Sequence, residues 1–196
     1  MTRKAAFLDR DGVINVDQGY VHRIEDFDFV AGTLDACRQL ARRGWLLVVA
    51  TNQSGIGRGL YTAQEFHQVT DWMRAHFARS GAQLAGVYYC PHHPTDAIDR
   101  FRMQCDCRKP QPGMLLAAAR DLSLDLAQSM MFGDKCEDLQ AAQAAGVAHR
   151  VLLGKDGRLP PRNDCAPGLA TARFADLREA VASGELAPIL GEAIGA

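Results

Sequence analysis

The sequence predicts an α/β layered domain with a mostly parallel sheet. Short apolar runs typical of buried strands alternate with stretches whose apolar residues recur at helical spacing, through five strands in a row. The length of 196 residues suits one domain, large enough to bury a core. We therefore expect residues 1–196 to form a single domain.

Five apolar runs are predicted to be strands. WLLVVAT is continuously apolar and partly β-branched, which is typical of a strand covered on both faces. KAAFLD and SMMFGD each end in an aspartate. The predicted strands are 4–9, 45–51, 85–90, 129–134 and 147–153.

The segments between the strands carry helical patterns. In the longest of them, Thr62 and Glu65 form a capping-box pattern, and apolar residues follow at steps of three and four. Gly146 is placed to cap the Ala-rich helix before it. The predicted helices are 33–44, 62–81, 113–122, 136–146 and 174–183. Residues 155–172 read as a loop, and we expect them to be the most mobile part of the chain.

Composition and charge narrow the class of protein. Hydrophobic residues make up 47% of the chain and charged residues 23%, as in an ordinary globular protein. A formal net charge of −1 excludes a general affinity for nucleic acid or anionic membrane. No signal peptide is visible, and no segment approaches the ~18 apolar residues of a membrane span. We predict a cytoplasmic monomer that binds a small molecule, and neither nucleic acid nor membrane.

Six cysteines are expected to be free thiols or metal ligands, because the cytoplasm is reducing. Cys37 lies on the apolar face of a helix and is predicted to be a small core residue. Cys136 and Cys165 have no visible partner in the sequence. The other three, Cys90, Cys105 and Cys107, lie close to histidines.

Polar side chains follow the predicted strands, where open α/β sheets place their chemistry. Asp9 and Asp11 follow the first strand, Thr51 and Asn52 end the second, and Asp134 ends the fourth. Each aspartate alone is common in a turn or at a helix N-cap. Jointly they suit a hard divalent cation, Mg²⁺ above all, and with Lys109 and Asp138 nearby they predict phosphoryl transfer.

The segments FLDRDGVIN, ATNQSG, CRKPQPGM and FGDKCEDLQAA resemble, in order, the four motifs of the haloacid-dehalogenase superfamily of phosphatases. The likeness runs from about residue 4 to 153. It implies a Rossmann-like three-layer sandwich. The gaps between the motifs leave no room for a cap domain, so a capless phosphatase domain is expected.

A narrower resemblance comes from DQGYVH and CPHHP, which are similar to the branch containing heptose bisphosphate and histidinol-phosphate phosphatases. It implies a Mg²⁺-dependent phosphatase that removes the C7 phosphate of D-glycero-D-manno-heptose 1,7-bisphosphate through an aspartyl-phosphate, in lipopolysaccharide precursor synthesis. The alternative that the same resemblance leaves open is a histidinol-phosphate phosphatase of histidine biosynthesis.

The resemblance also implies residue roles. Asp9 is the nucleophile and Asp11 the general acid and base, while Thr51 and Lys109 bind the transferring phosphoryl group. Mg²⁺ is held by Asp9, the backbone carbonyl of Asp11, and Asp134. Asp138 either orders Lys109, reaches Mg²⁺ through water, or is only a carboxylate on a helix surface. The implied substrate-binding residues are Asp17, Gln18, Gly19, Tyr20, Thr51, Asn52, Gln53, Ser54, Arg108, Lys109 and Lys135.

The remaining cluster has the spacing C-x-H-x₁₂-C-x-C. Two close pairs separated by a loop are typical of a structural Cys₃His zinc site, which has no open position for water. A redox pair and unliganded thiols are the alternatives, and His93 rivals His92 as the fourth ligand. The resemblance favours His92, so the predicted Zn²⁺ ligands are Cys90, His92, Cys105 and Cys107, in an inserted loop, 90–107.

Overall fold

Six parallel strands form one sheet, in which the first strand of the chain lies between the second and the fourth, and the third and the sixth lie at the two edges. The computed structural model describes residues 3–155, 158–159 and 165–191. The strands are β1 Ala5–Leu8, β2 Leu46–Asn52, β3 Leu84–Cys90, β4 Met130–Gly133, β5 His149–Leu153 and β6 Ala172–Phe174. The parallel sheet and the first five strands are therefore confirmed.

Helices connect the strands. They are α1 Thr33–Arg42, α2 Ser54–Gly57, α3 Ala63–Arg79, α4 Gly113–Leu122, α5 Cys136–Ala145, α6 Leu177–Ala182 and α7 Ala187–Leu190, with short 3₁₀ helices at Asp99–Phe101 and Leu126–Gln128. The predicted capping box of Thr62 and Glu65 begins α3, and Gly146 caps α5 in the left-handed conformation. α6 begins later than predicted because Asp176 caps it, accepting a hydrogen bond from the Glu179 backbone N–H.

The core lies in two layers, one on each face of the sheet. Leu8 packs in the layer with α1, α3, α6 and α7, whereas Phe7 packs in the layer with α4 and α5. Successive side chains of a strand point to opposite faces, so a strand between two helical layers must be apolar throughout. All four residues of β1 are buried. This is the three-layer sandwich that the sequence predicts.

The prediction of a loop over 155–172 is wrong at its end, because Ala172 begins β6 and pairs with β5. Three residues, one of them an arginine, are too short to show a strand period in the sequence. Residues 156–157 and 160–164 of that predicted mobile loop lie outside the described residues.

The expectation that all cysteines are free or metal-bound is wrong for Cys136 and Cys165, which form a disulfide. They lie 29 residues apart in sequence, at the start of α5 and in the segment before β6, and their Cα atoms are 5.5 Å apart. Spacing alone cannot identify such a pair, because the fold brings it together. Cys37 is buried in the core, as predicted.

The gaps between the motifs are filled by the fold itself. Residues 12–50 contain α1 as their one helix, and residues 53–108 contain α2, α3, β3 and a 3₁₀ turn. All these residues are described, and none forms a separate cap. Within the described ranges, no helix has the length and apolar character needed to cross a membrane.

Candidate active site

The predicted site residues meet at the carboxyl edge of the three central strands. β1 lies between β2 and β4, so Asp9, Thr51 and Asp134 come from the ends of neighbouring strands. Thr51 is 1% exposed, and Asp9 and Asp134 are also buried. This edge is where parallel sheets of this kind bind ligands.

Lys109 lies at the centre of this edge. Its ammonium is 2.9 Å from Asp9 Oδ1 and 2.6 Å from Asp138 Oδ1, and it donates a 2.7 Å hydrogen bond to the Ala50 carbonyl. Burial alone would lower the pKa of Lys109, but the carboxylates of Asp138 and Asp9 outweigh it and raise the pKa. Lys109 therefore stays charged and fixes the Asp9 carboxylate.

Asp138 is 2% exposed, so the alternative that it is only a surface carboxylate is wrong. One of its oxygens binds Lys109 and the other accepts the backbone N–H of Lys135. The sequence left this position undecided because the start of a helix can face either way. The geometry pairs Asp138 with Lys109, and an oxygen of Asp138 also lies within 4.8 Å of oxygens of Asp9 and Asp134, so contact with Mg²⁺ through water stays a prediction.

The side chain of Asn52, the last residue of β2, forms two hydrogen bonds with the backbone of Lys109. Its side-chain N–H₂ donates to the Lys109 carbonyl at 3.1 Å, and its oxygen accepts the Lys109 N–H at 3.0 Å. Both ends of the amide are thus occupied by the protein. Asn52 thus positions Lys109, and it also lines a cavity beside Asp11.

Asp134 is a buried carboxylate whose two oxygens have no hydrogen-bond partner among the described residues. The closest cation is Lys155, 3.7 Å away. Burial raises the pKa of Asp134 to about 7, and the charges of Asp9 and Asp138 add to the rise. Gly12 lies directly against it, because a Cβ there would fall 2.4 Å from Asp134 Oδ2. A bound divalent cation would supply the missing partner, and carboxylate oxygens suit Mg²⁺.

Asp11 is held on several sides. Arg10, which is 1% exposed, forms an ion pair with it at 2.9 Å, and Asn15 donates to the same oxygen at 3.0 Å. Gln53 donates to the second oxygen at 2.9 Å, and it also donates to Thr51 at 2.9 Å. The predicted acid and base is therefore an ordered side chain rather than a freely rotating one.

A cavity of about 230 Å³ opens beside Asp11. It lies between residues that follow β1 and residues that follow β2, and Lys135 in its wall donates to Asp17 at 3.1 Å. Gln18 instead donates to Asp28, and Arg108 does not line the cavity. The lining residues are Asp11, Asp17, Gly19, Tyr20, Asn52, Gln53, Ser54, Tyr61 and Lys135.

A larger cavity of about 440 Å³ adjoins the other side of Asp17. Much of its wall is apolar, including Val13, Val30 and Leu153. It shares only Asp17 with the predicted substrate-binding residues. The smaller, polar cavity is the better match to a sugar phosphate, because it offers the hydrogen-bonding groups that hydroxyls and phosphates need.

The Cys/His cluster is assembled as predicted. The ligand atoms of Cys90, His92, Cys105 and Cys107 lie within 4.8 Å of one another, and the three sulfur–sulfur distances are 3.0, 3.3 and 3.6 Å. Tetrahedral Zn–S bonds of ~2.3 Å would place sulfurs about 3.8 Å apart, so the sulfurs here lie closer together than around a bound zinc. The donor set of three cysteines and one histidine is nevertheless one that structural zinc takes. His93 points elsewhere and accepts the backbone N–H groups of Thr95 and Asp96.

Arg108 is fastened to this cluster, because its guanidinium donates to the His92 carbonyl at 3.2 Å. Cys107 precedes Arg108 directly, and Lys109 follows it. The zinc-type cluster therefore fixes the chain just before the lysine of the active site.

The sequence motifs did not identify three residues of the site, Arg10, Asn15 and Tyr61. Arg10 carried a usable signal, since an arginine between two aspartates after a buried strand has to be paired when buried. Asn15 lies inside a quoted motif but has no diagnostic spacing. Tyr61 lies outside every motif and gave no signal.

Comparison with known proteins agrees with this geometry. The haloacid dehalogenase-like hydrolase family matches residues 3–146. The D-glycero-beta-D-manno-heptose-1,7-bisphosphate 7-phosphatase of Escherichia coli (strain K12) is 50% identical over 177 residues, 90% of this chain and 93% of that protein.

Two solved structures are similar over most of their length. The D,D-heptose 1,7-bisphosphate phosphatase from B. bronchiseptica, complexed with magnesium and phosphate, has a TM-score of 0.73 at 33% identity, covering 91% of this chain and 96% of that one. A HAD-like phosphatase from Mesorhizobium loti has a TM-score of 0.81 at 33% identity, covering 97% and 88%. The resemblance drawn from the motifs is confirmed, and the chain belongs to the haloacid dehalogenase-like hydrolases.

Proposed function

We propose that this protein is a Mg²⁺-dependent phosphatase that removes the C7 phosphate of D-glycero-D-manno-heptose 1,7-bisphosphate, in the supply of ADP-heptose for lipopolysaccharide. The observation that carries the phosphatase chemistry is the buried Lys109, which binds Asp9 at the end of β1. Heptose bisphosphate is favoured over histidinol phosphate as the substrate, because a D-glycero-beta-D-manno-heptose-1,7-bisphosphate 7-phosphatase is 50% identical over 90% of the chain.

Asp9 serves as the nucleophile. One of its oxygens attacks phosphorus, the bond from phosphorus to the sugar oxygen breaks, and Asp11 gives its proton to that oxygen. Water then attacks the aspartyl-phosphate and passes a proton to Asp11, the bond from phosphorus to Asp9 breaks, and inorganic phosphate leaves. Thr51 and Lys109 bind the phosphoryl oxygens as charge develops on them.

Two metals are part of the proposal. Mg²⁺ would be held by Asp9, Asp134 and the backbone carbonyl of Asp11, and when bound it neutralises charge on the phosphoryl group. The unpartnered oxygens of Asp134 support this site. Zn²⁺ would be structural and would take all four ligands of the Cys/His cluster.

The cavity supports a role for Asp17, Gly19, Tyr20, Ser54 and Lys135 in binding the sugar. Arg108 would reach the distal end of the substrate from the zinc-type loop. A monomer located in the cytoplasm remains our prediction for the assembly and compartment.

Turnover assays test the proposal. We expect the highest kcat/KM with heptose bisphosphate, a lower value with histidinol phosphate, and none with a 3′-phosphorylated oligonucleotide. Asp9→Asn should abolish turnover, because an amide is a poor nucleophile. A histidinol phosphate preference would overturn the substrate and leave the mechanism standing. Wild-type rates in Asp9→Asn would overturn the mechanism.

A further inference from the structure

A chain of hydrogen bonds leads from Tyr61 to the acid and base of the site. The Tyr61 hydroxyl donates to Gln53 Oε1 at 2.6 Å, and Gln53 Nε2 donates to Asp11 Oδ2 at 2.9 Å and to Thr51 Oγ1 at 2.9 Å. Gln53 is 2% exposed and Tyr61 is 5% exposed. Every polar atom of the Gln53 side chain is therefore in use inside the protein.

The direction of this chain follows from its chemistry. A carboxylate only accepts, so the amide N–H₂ of Gln53 must face Asp11, and its oxygen must face Tyr61. Tyr61 then has to donate, and burial raises its pKa, which keeps the phenol protonated. Without that hydroxyl, Gln53 Oε1 would be buried without a partner, and the amide would lose one of the three hydrogen bonds that fix its orientation.

Close packing on neighbouring residues fixes the position of the Tyr61 ring. A Cβ at Gly55 would lie 2.0 Å from the Tyr61 ring, so the ring lies directly against the Gly55 backbone. The ring also stacks on His22, with centroids 4.9 Å apart and planes at 3°. Gln53 thus bonds to this tyrosine, and Gly55 in α2 makes room for it.

We propose that Tyr61, acting through Gln53, is a positioning residue for Asp11. The inference deepens the proposed function and rests on it, because it assumes that Asp11 transfers protons. Donation from Tyr61 polarises the amide and strengthens the N–H bond that Gln53 gives to the carboxylate. Gln53 thereby holds the second Asp11 oxygen at 2.9 Å, where Arg10 Nε also donates at 3.2 Å, while Arg10 Nη2 and Asn15 hold the first.

The leaving group separates this role from simple packing. An alkyl phosphate ester needs a proton from Asp11 as its bond to phosphorus breaks, whereas p-nitrophenolate leaves without one. Loss of orientation at Asp11 should therefore slow formation of the aspartyl-phosphate from the sugar phosphate far more than from p-nitrophenyl phosphate. A general packing defect would slow both alike.

The positioning role is tested by rapid-quench measurement of the rate of aspartyl-phosphate formation in the Tyr61→Phe variant with each of the two substrates. We expect a fall on the order of 10-fold with the sugar phosphate and less than about 2-fold with p-nitrophenyl phosphate, at nearly constant KM. The ratio of the two rates, taken on one preparation, is unaffected by any inactive fraction. Tyr88→Phe is the matched control, since its hydroxyl binds Asp121 on the helix α4, and it should leave the ratio unchanged.

A second variant tests whether Tyr61 acts through Gln53. In a Gln53→Met background, Tyr61→Phe should cause no further loss, because the amide that carries the effect is gone. An unchanged ratio in Tyr61→Phe, equal losses on both substrates, or additive losses in the double variant would each overturn the inference. If the wild type does not hydrolyse heptose bisphosphate, the proposed substrate fails, and the ratio is measured with an alkyl phosphate that it does hydrolyse.

Discussion

The magnesium-free protein is expected to lose stability as the pH rises from about 4 to about 7, the reverse of the usual trend for a carboxylate. Burial raises the folded-state pKa of Asp134 from 3.8 to about 7. Between these values the folded state holds a proton that the unfolded state has released, so raising the pH favours unfolding. The burial of Asp9 raises its pKa too and acts in the same direction.

The size of the effect follows from Asp134. At about 1.4 kcal/mol per pH unit, the rise to a pKa of about 7 corresponds to a loss of about 4 kcal/mol, taken as an upper bound. Carboxylates with lowered pKa values, such as Asp17, contribute in the opposite direction, but below about pH 4. Between about pH 5 and 7, His93 and His149 also act in the opposite direction, because burial lowers their pKa values and the unfolded chain then binds those protons more tightly. The larger shift of Asp134 should still make the net stability fall.

Urea unfolding at about pH 5 and about pH 7.5, with magnesium omitted and zinc retained, measures this loss. Saturating Mg²⁺ should remove most of it, because the ion binds only the ionised, folded site. The control is Asp134→Asn, which cannot ionise and should show a flatter profile. A metal-free stability that is flat or rising over this range, with the same profile in Asp134→Asn, would refute the reasoning.

Three further perturbations have defined outcomes. Lys109→Met should abolish turnover and cost about 3–5 kcal/mol in unfolding free energy, because it leaves Asp9 and Asp138 buried without their cation; a stable variant would contradict this. Cys105→Ser should lower the zinc content of the protein and raise KM for the sugar phosphate. Full activity with unchanged KM in a zinc-free preparation would show that the zinc-type loop does not contribute to substrate binding. Thr62→Ala removes the cap of α3 and should cost about 1 kcal/mol with kcat unchanged, whereas a changed kcat would mean that α3 reaches the site.

The sequence was informative where local pattern decides structure. Asp9 and Asp134 could be placed because each directly follows a buried apolar strand, and parallel strands deliver their carboxyl ends to one edge. The Cys/His cluster could be found because its ligands come in two close pairs. Thr62 could be read as a cap because its partner lies three residues away.

Contacts between segments that are distant in sequence could not be predicted from local pattern. The Cys136–Cys165 disulfide depends on the path of the segment before β6, and β6 itself is too short to show a period. The burial of Asp138 depends on the ammonium of Lys109, which arrives from another loop. Tyr61 meets Gln53 only because α2 turns the chain back between them.

The zinc-type loop, residues 90–107, is anchored at both ends and is also attached between them, where Ala97 is buried and the Ile98 N–H donates to the Gly57 carbonyl at 2.8 Å. Cys90 closes β3, Cys107 closes the loop, and Asn52 independently holds the backbone of Lys109. The stretch 93–104 carries no ligand of the cluster and most of its residues are exposed, so those positions can change without moving the lysine. None of them lines the cavity beside Asp11, so replacing them by the residues of a related phosphatase, with the four ligands kept, should leave the reaction chemistry intact.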